Sequence, residues 1–193
     1  MSVVADKTYT PEDLLSMADR KNYELVDGHL VERNVSVLSS WVGGQVYFEL
    51  NAFLREHFLG WAWPADQGYE CFADAPGKVR KADVSFIRKE RLPEGLTSAG
   101  SLSIPPDLAI EVVSPNDLAY DVAAKVEEYL NAGVPLIWVI DPEVRNVHVY
   151  RGNGSVSLLR EKVELSGEHV LPGFRCPVSA IFRKKATESQ ASG

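Results

Sequence analysis

Apolar and polar residues follow two periods along the chain, one typical of strands and one typical of helices. In DLAIEVVS, residues 107–114, both faces of the predicted strand are apolar except at Glu111. Further strands are predicted where short apolar or alternating runs end in turn residues: 67–73, 79–88, 136–142, 146–152 and a short one near 155–160. The segment between 88 and 107 is rich in Gly, Ser and Pro and predicts a loop.

Two longer segments carry apolar residues at helical spacing. The first covers 38–58, although its Gly43-Gly44 pair lowers the helix propensity. The second covers 117–131 and is followed by Gly133, a residue type that commonly ends helices because it adopts positive φ. We therefore expect two substantial helices, with strands before, between and after them.

The N-terminal region predicts a short helix and a hairpin. Thr10 as a cap and Pro11 at the first helical position favour a helix to about Arg20. The pair Asp27-Gly28 between YELV and HLVE suits a type I′ turn, whose two central residues take positive φ. The element order predicts an α/β (α+β) fold, a mixed sheet flanked by helices in a single domain over 1–182. Residues 183–193, RKKATESQASG, predict a disordered tail.

Glu111 is the first candidate functional residue, because an unpaired carboxylate in a buried strand is costly. Such a group needs a cation, hydrogen-bond donors or a water-lined cleft beside it, or its pKa shifts strongly. A structural ion pair to a core lysine or arginine is one outcome that would satisfy it. A functional site is the other.

Lys125 lies in the middle of the apolar face of the second long helix. At about 100° per residue from Leu118, Lys125 falls at about -20°, on the same face as Tyr129 at about 20° and Val122 at about 40°. A strand-to-helix turn can bring it to Glu111, from which it is separated by only fourteen residues. The alternative is a surface ion pair with Asp121, four residues earlier on the same helix.

Asp83 supplies a second carboxylate. It begins the apolar half of the 79–88 strand, which we expect to neighbour the Glu111 strand, although a strand-start aspartate can also simply face water. Two acids with a lysine nearby offer hard oxygen ligands for a divalent cation and a positive charge beside it. Magnesium fits this set, whereas zinc would require His or Cys, which the cluster lacks.

Composition and charge limit the kinds of metal site, cross-link and binding partner to expect. The chain has 193 residues, a net charge of -7, two cysteines without CxxC spacing and four scattered histidines. These features indicate neither a disulfide framework nor a structural zinc site, and they argue against broad affinity for nucleic acid. No apolar run is long enough to span a bilayer, so we expect a soluble, cytoplasmic protein.

A local basic strip exists between 78 and 91 despite the net negative charge. It contains six basic residues and two acidic ones: Lys78, Arg80, Lys81, Arg88, Lys89 and Arg91 against Asp83 and Glu90.

Several segments in this order resemble a known superfamily. YELVDGHLV, ADVSFI, IEVVSPNDLAYDVAAKVEEYLNAGVPLIWVIDP and VHVY are similar to the restriction-endonuclease-like PD-(D/E)XK core. Within it they resemble a bacterial family of putative restriction endonucleases of unknown target. The resemblance covers roughly 10–182, and EVVSP followed by a helical lysine and AGVPLIWVIDP is its most specific part.

The resemblance implies roles for particular residues. Asp83 matches the aspartate of the PD element and Glu111 the acid of (D/E)XK. Ala82 stands where the signature has proline, and Val113 stands where it has lysine. The resemblance implies that the lysine has moved to the following helix, where Lys125 holds its place.

Glu24, in YELVDG, matches a recurrent acid of the same family. The resemblance implies that it is a further catalytic residue. As a hairpin glutamate opposite Val31, it could equally be a solvated strand residue.

The implied activity is endonucleolytic hydrolysis of phosphodiester bonds, most naturally in DNA, with Mg²⁺ as cofactor and Mn²⁺ as its substitute. Asp83, Glu111 and a backbone carbonyl near Val112 would hold the metal. Lys78, Arg80, Lys81 and Arg88 would contact nucleic-acid phosphates. A homodimer that cuts both strands is expected by analogy. The rival expectation is a catalytically inactive module that binds nucleic acid or a protein partner, and a purely structural set of ion pairs is a further alternative.

Overall fold

The computed structural model describes residues 7–96, 98 and 100–182. Its helices are α1 (Pro11–Ser16), α2 (Val37–Glu56) and α3 (Ala119–Asn131). Its strands are β1 (Tyr23–Val26), β2 (His29–Glu32), β3 (Gly60–Pro64), β4 (Gly68–Tyr69), β5 (Val84–Arg88), β6 (Ser101–Leu102), β7 (Leu108–Val112), β8 (Leu136–Asp141), β9 (Asn146–Arg151), β10 (Val156–Arg160), β11 (Glu164–Ser166) and β12 (Arg175–Pro177). Short 3₁₀ turns cover Arg20–Asn22, Lys89–Arg91 and Val178–Ile181. The tail predicted over 183–193 lies outside the described residues.

A six-stranded mixed sheet in the order β10-β9-β8-β7-β5-β3 organises the molecule. Within this sheet β7 and β8 are parallel neighbours, and the chain between them contains α3 as the crossover that a parallel pair requires. The remaining neighbours in the sheet are antiparallel. This arrangement is the mixed α+β fold that the sequence predicts.

The two long helices cover opposite faces of this sheet. Buried residues of α2, among them Val46 and Leu50, join one apolar cluster with Ile110 of β7. Buried residues of α3, Val126 and Tyr129, join another cluster with Ala109. Because side chains alternate along a strand, Glu111 shares the face of Ala109 and points toward α3. None of the described helices combines the length and apolarity needed to cross a membrane.

The N-terminal elements follow their local signals. Thr10 and Asp13 form a capping box, with side chain and backbone bonded in both directions. In the hairpin of β1 and β2, Asp27 and Gly28 have φ of 50° and 78°, as the predicted type I′ turn requires. The helix ends at Ser16 rather than near Arg20, because Met17 is already extended.

The strand prediction for 79–88 is too long. Val79 and Arg80 bond to Leu25 and Tyr69 instead of to the central sheet, so regular pairing starts only at Val84. The predicted strand 67–73 likewise shrinks to β4, which pairs with β6 in the predicted loop. Edge strand β3 was not predicted, since GWAWP shows no clear alternation of apolar and polar residues.

Candidate active site

Two of the predicted acids meet through the antiparallel pair β5 and β7. Val84 pairs with Ile110, and continuing this register sets Asp83, just before β5, opposite Glu111. Oδ2 of Asp83 also accepts a hydrogen bond of 2.8 Å from the backbone N–H of Val112. Both carboxylates line the same cavity. The predicted convergence of the two acids is therefore present in the structure.

Lys125 points inward from α3 to this pair of strands. Its Nζ lies 2.8 Å from Oε2 of Glu111 and 3.0 Å from Oε1 of Glu24. It also donates to the backbone oxygen of Lys81 at 3.3 Å. The surface pair with Asp121 is not found among the described residues. Val113 occupies the lysine position of the sequence signature. Lys125 supplies an ammonium beside Glu111 from the following helix instead.

Glu24 is a buried member of the cluster, with 4% of its surface exposed. Its Oε1 accepts a hydrogen bond of 2.7 Å from the backbone N–H of Lys81, and its Oε2 lies 3.0 Å from Nη1 of Arg80. The register places Glu24 opposite Val31, as expected. The alternative of a solvated hairpin glutamate is wrong, because Glu24 is buried where β1 pairs along its edge with Val79.

Arg33 is a member of the site that the sequence analysis missed. Its Nη2 lies 2.7 Å from Oδ1 of Asp83, and its Nη1 donates to the backbone oxygen of Ala65 at 2.9 Å. Its side chain is only 9% exposed. Arg33 follows the end of β2 and its partner lies fifty residues later, so no local pattern marks it.

Two residues of the predicted basic strip are bound within the molecule by Glu128 of α3. Nζ of Lys78 lies 2.7 Å from Oε1 of Glu128, and Nε of Arg80 lies 2.6 Å from Oε2. Arg80 also contacts Glu24 and so joins α3 to the hairpin. Their charges are compensated inside the protein, which weakens the case for contacts to nucleic-acid phosphates.

The other two predicted phosphate contacts, Lys81 and Arg88, also have internal partners. Nζ of the buried Lys81 donates to the backbone oxygen of Arg20 at 2.6 Å. Arg88 pairs with the buried Asp107 at 2.9 Å, although 44% of the Arg88 side chain is exposed. Of the four residues, Arg88 remains the most accessible to a ligand.

Burial and neighbouring charges set the ionisation of the cluster. Burial raises the pKa of Glu111 to about 7, and Asp83 and Glu24 act in the same direction. Burial would also raise the pKa of Glu24, but the charges of Lys125 and Arg80 hold it below its usual value. Burial opposes ionisation of Lys125, yet its two carboxylate partners raise its pKa. Lys125 is therefore held as an ammonium.

These side chains line a cavity of about 260 Å³. This volume has room for several water molecules or a phosphate group with its hydration. Its charged lining is acidic on balance, with six carboxylates against three cations: Glu24, Glu32, Asp83, Glu111, Asp117 and Asp121 against Arg33, Arg80 and Lys125. A partly enclosed cavity with an acidic lining of this kind attracts cations.

Oε1 of Glu111 and Oη of Tyr129 are buried without a hydrogen-bond partner among the described residues. Burial raises the pKa of Tyr129, and the nearby charge of Glu111 raises it further. The two oxygens nevertheless do not meet in ordinary hydrogen-bond geometry. A buried carboxylate oxygen with no donor is unusual in a folded protein. It leaves Glu111 with coordinating capacity that the protein itself does not use.

The donor set is compatible with magnesium. Within the described part of the chain, no three His, Cys, Asp or Glu side chains group as a complete metal site. Mg²⁺ does not require one, because it keeps several waters and takes substrate phosphate oxygens beside one or two carboxylates. Asp83 and Glu111 supply two carboxylates, and Oε1 of Glu111 is unengaged. None of the described residues that line the cavity is a His or Cys.

Comparison with known proteins places the chain in a family. The family model of Uma2, described as putative restriction endonuclease, matches residues 11–179. The chain belongs to the Uma2 family. This match spans the cavity and confirms the resemblance seen in the sequence. A search of curated proteins finds no match.

A solved structure shows the same fold. The crystal structure of a putative nuclease belonging to DUF820 from Anabaena variabilis superposes with a TM-score of 0.74 at 17% identity. The likeness covers 89% of this chain and 96% of that one. At this identity the likeness shows the fold alone. The Uma2 chain therefore combines a nuclease-like fold with an acidic cavity.

Proposed function

We propose that this Uma2 protein is a metal-dependent endonuclease that hydrolyses phosphodiester bonds in DNA. The observation that carries the proposal is the meeting of three predicted residues, from three separate elements, at one cavity. Asp83 and Glu111 line it together, and Lys125 lies 2.8 Å from Glu111. Family membership supports the same activity class.

Asp83, Glu111 and the backbone carbonyl of Val112 would hold the ion. When bound, Mg²⁺ polarises the scissile phosphodiester and lowers the pKa of a bound water. The Val112 N–H fixes the orientation of Asp83 through Oδ2. Glu111 lines the cavity with its Oε2 held by Lys125, and its Oε1 is buried without a hydrogen-bond partner among the described residues. Mn²⁺ has similar ligand preferences and should substitute.

Lys125 would orient the attacking water and offset the negative charge that develops on the phosphate. Glu24 assists through Lys125, since its Oε1 lies 3.0 Å from the ammonium. Arg80 in turn holds Glu24. These contacts limit the rotamers of Lys125, which is what positioning in an active site requires.

A homodimer, a cytoplasmic location and a single domain over 1–182 belong to the same proposal. Two active sites would allow both DNA strands to be cut. Sedimentation velocity of the purified protein tests the dimer, and a monomer at all concentrations would remove that part of the proposal.

A second candidate is an inactive binding module on the same fold. The observation that favours it is that both oxygens of Asp83 already have partners, Arg33 and the Val112 N–H. Under this alternative the cluster is a set of structural ion pairs, and DNA or a protein partner binds without being cleaved.

Plasmid nicking separates the two candidates. The parent protein should nick supercoiled plasmid in Mg²⁺ or Mn²⁺ and not in EDTA, and Asp83→Ala should abolish the activity. Asp121→Ala is the matched control, because Asp121 lines the cavity without a side-chain contact to Lys125 among the described residues. It should retain parental activity. DNA binding without nicking in either ion would favour the inactive module.

A further inference from the structure

Arg33 has an anchor that does not depend on Asp83. Its Nη1 donates to the backbone oxygen of Ala65 at 2.9 Å, while its Nη2 lies 2.7 Å from Oδ1 of Asp83. The guanidinium also lines the cavity. It can therefore lose the contact to Asp83 and still be held at the cavity wall.

The contact to Asp83 conflicts with a divalent ion at the same carboxylate. Oδ2 is engaged by a neutral N–H from Val112, which can coexist with a cation nearby. Oδ1 is engaged by a full positive charge from Arg33. Two cations at one carboxylate repel each other strongly, and the repulsion grows as the site is buried. Arg33 and a divalent ion therefore compete for Asp83.

The charge balance of the cluster changes once an ion is present. Glu111 and Glu24 share Lys125, and Glu24 also has Arg80, so Asp83 is the acid that Arg33 compensates. A divalent ion at Asp83 takes over this role. Arg33, with a side chain 9% exposed, is then a nearly buried cation without an acid. Such a group is costly until another anion reaches it.

We propose that Arg33 is an exchangeable counter-ion, which holds Asp83 in the metal-free protein and turns to a substrate phosphate when a divalent ion takes Asp83. The inference rests on the proposed function, and it adds a phosphate-binding residue. The guanidinium suits this role because its planar fork matches phosphate oxygens and it stays charged. It makes metal and DNA bind cooperatively, since each favours the state that the other needs.

The competing explanation is that Arg33 is a permanent support for Asp83. Both explanations predict slower cleavage when Arg33 is removed, so activity alone does not separate them. They differ in the sign of the effect on metal affinity. An exchangeable counter-ion lowers the affinity of Asp83 for metal, whereas a support raises it.

The first measurement is calorimetric titration of Mn²⁺ into the parent and Arg33→Met. We expect the variant to bind Mn²⁺ about tenfold more tightly, the factor that corresponds to a competing contact of about 1.4 kcal/mol. Arg33→Gln should show the same direction, because its amide has no charge and can still donate a hydrogen bond. It serves as the second variant if Arg33→Met does not fold.

The control is Arg151→Met, which breaks an ion pair to Glu168 away from the cavity; Glu168 is as exposed as Asp83, at 26%, and Arg151 is 23% exposed. It should bind Mn²⁺ with parental affinity. The second measurement is fluorescence anisotropy of a labelled DNA duplex with and without Ca²⁺. Ca²⁺ should strengthen DNA binding by the parent, and the Arg33 variants should lose about tenfold of that gain.

The outcomes separate this inference from the proposed function. Equal or weaker Mn²⁺ binding by the Arg33 variants, with a parent that binds Mn²⁺ and cleaves DNA, overturns only the exchange. Absence of Mn²⁺ binding in the parent and in both variants overturns the exchange together with the metal-dependent function. Tighter Mn²⁺ binding with loss of the Ca²⁺-dependent DNA gain supports the exchange.

Discussion

At the residue scale, the site is built from charged side chains that share partners. Lys125 stands between Glu24 and Glu111, so one ammonium serves two carboxylates. Burial raises the pKa of Glu111 to about 7 although Lys125 lowers it, and Oε1 of Glu111 finds no donor among the described residues. A carboxyl group whose pKa is shifted by burial and by specific charged partners beside a cavity is a candidate functional group.

Replacement of Lys125 by methionine tests its role. Lys125→Met should lower the nicking rate by about 10² or more, the usual loss when one charge-stabilising group is removed. It should also destabilise the metal-free protein by about 3 kcal/mol, because two buried carboxylates lose their cation. Urea unfolding measures the second effect. Nicking at the parental rate would show that another cation near the cavity acts in its place.

The raised pKa of Glu111 predicts a pH-dependent stability. Between its unfolded value of about 4.3 and its folded value of about 7, the folded state holds a proton that the unfolded state releases. This contribution to stability is complete below the unfolded pKa and is lost as pH rises through the folded pKa. The free energy of unfolding of Glu111→Gln, measured relative to that of the parent, should therefore increase as pH rises from about 5 to about 8. The expected increase is up to about 3 kcal/mol.

Urea unfolding in EDTA at both ends of this range measures the difference between parent and Glu111→Gln. EDTA is required because a bound ion would hold Glu111 ionised. A difference that does not change with pH would show that Glu111 titrates near its ordinary value. Asp117→Asn, another acid that lines the cavity, is the control for general effects of charge.

At the element scale, β5 and β7 deliver the acids and α3 delivers the lysine, so the site depends on sheet pairing around β5. Gly60 of edge strand β3 shows how close this packing is. A Cβ at Gly60 would lie 2.1 Å from the backbone oxygen of Ile87 and 2.9 Å from Cα of Arg88. Strand β3 can therefore pair with β5 only because residue 60 has no side chain.

Two glycine replacements should have opposite effects. Gly60→Ala should destabilise the protein, because the clash is with backbone that cannot move without disturbing β5. Gly44→Ala, in the exposed interior of α2 where a Cβ meets nothing within 4 Å, should stabilise it by about 0.5–1 kcal/mol. Thermal unfolding compares both with the parent. Equal melting temperatures for the two variants would contradict this view of the packing.

At the scale of the whole molecule, charge governs how nucleic acid approaches. The chain carries a net charge of -7, the cavity lining is acidic on balance, and four residues of the basic strip, Lys78, Arg80, Arg88 and Arg91, are paired with acids of the protein. A cation in the cavity would offset the repulsion of DNA phosphates by this surface. DNA binding is therefore expected to depend on the divalent ion.

Fluorescence anisotropy with a labelled duplex should show weak binding in EDTA and at least about tenfold tighter binding in Ca²⁺. Asp83→Ala should remove the response to Ca²⁺. Tight binding in EDTA that survives Asp83→Ala would locate the DNA surface away from the cavity, with Arg88 as the first residue to test because its side chain is 44% exposed.

The sequence by itself determined the elements whose signals are local. The periods of α2, α3 and β7, the Asp27-Gly28 turn and the Thr10 cap are carried by neighbouring residues, and the structure confirms each. Glu111 and Lys125 were also readable, because each contradicts the apolar pattern around it. Local contradictions of this kind mark sites that tertiary contacts must explain.

Only the tertiary structure decided which charged side chains pair with each other. Arg33 reaches Asp83 across fifty residues, and Arg80 reaches Glu128 across forty-eight, distances over which no period in the sequence specifies a pair. The limits of β5 were likewise set by where its backbone finds partners, since Val79 and Arg80 bond elsewhere. Hydrogen bonds and ion pairs form between groups that folding brings together, so their identity depends on the packing of whole elements rather than on the residues beside them.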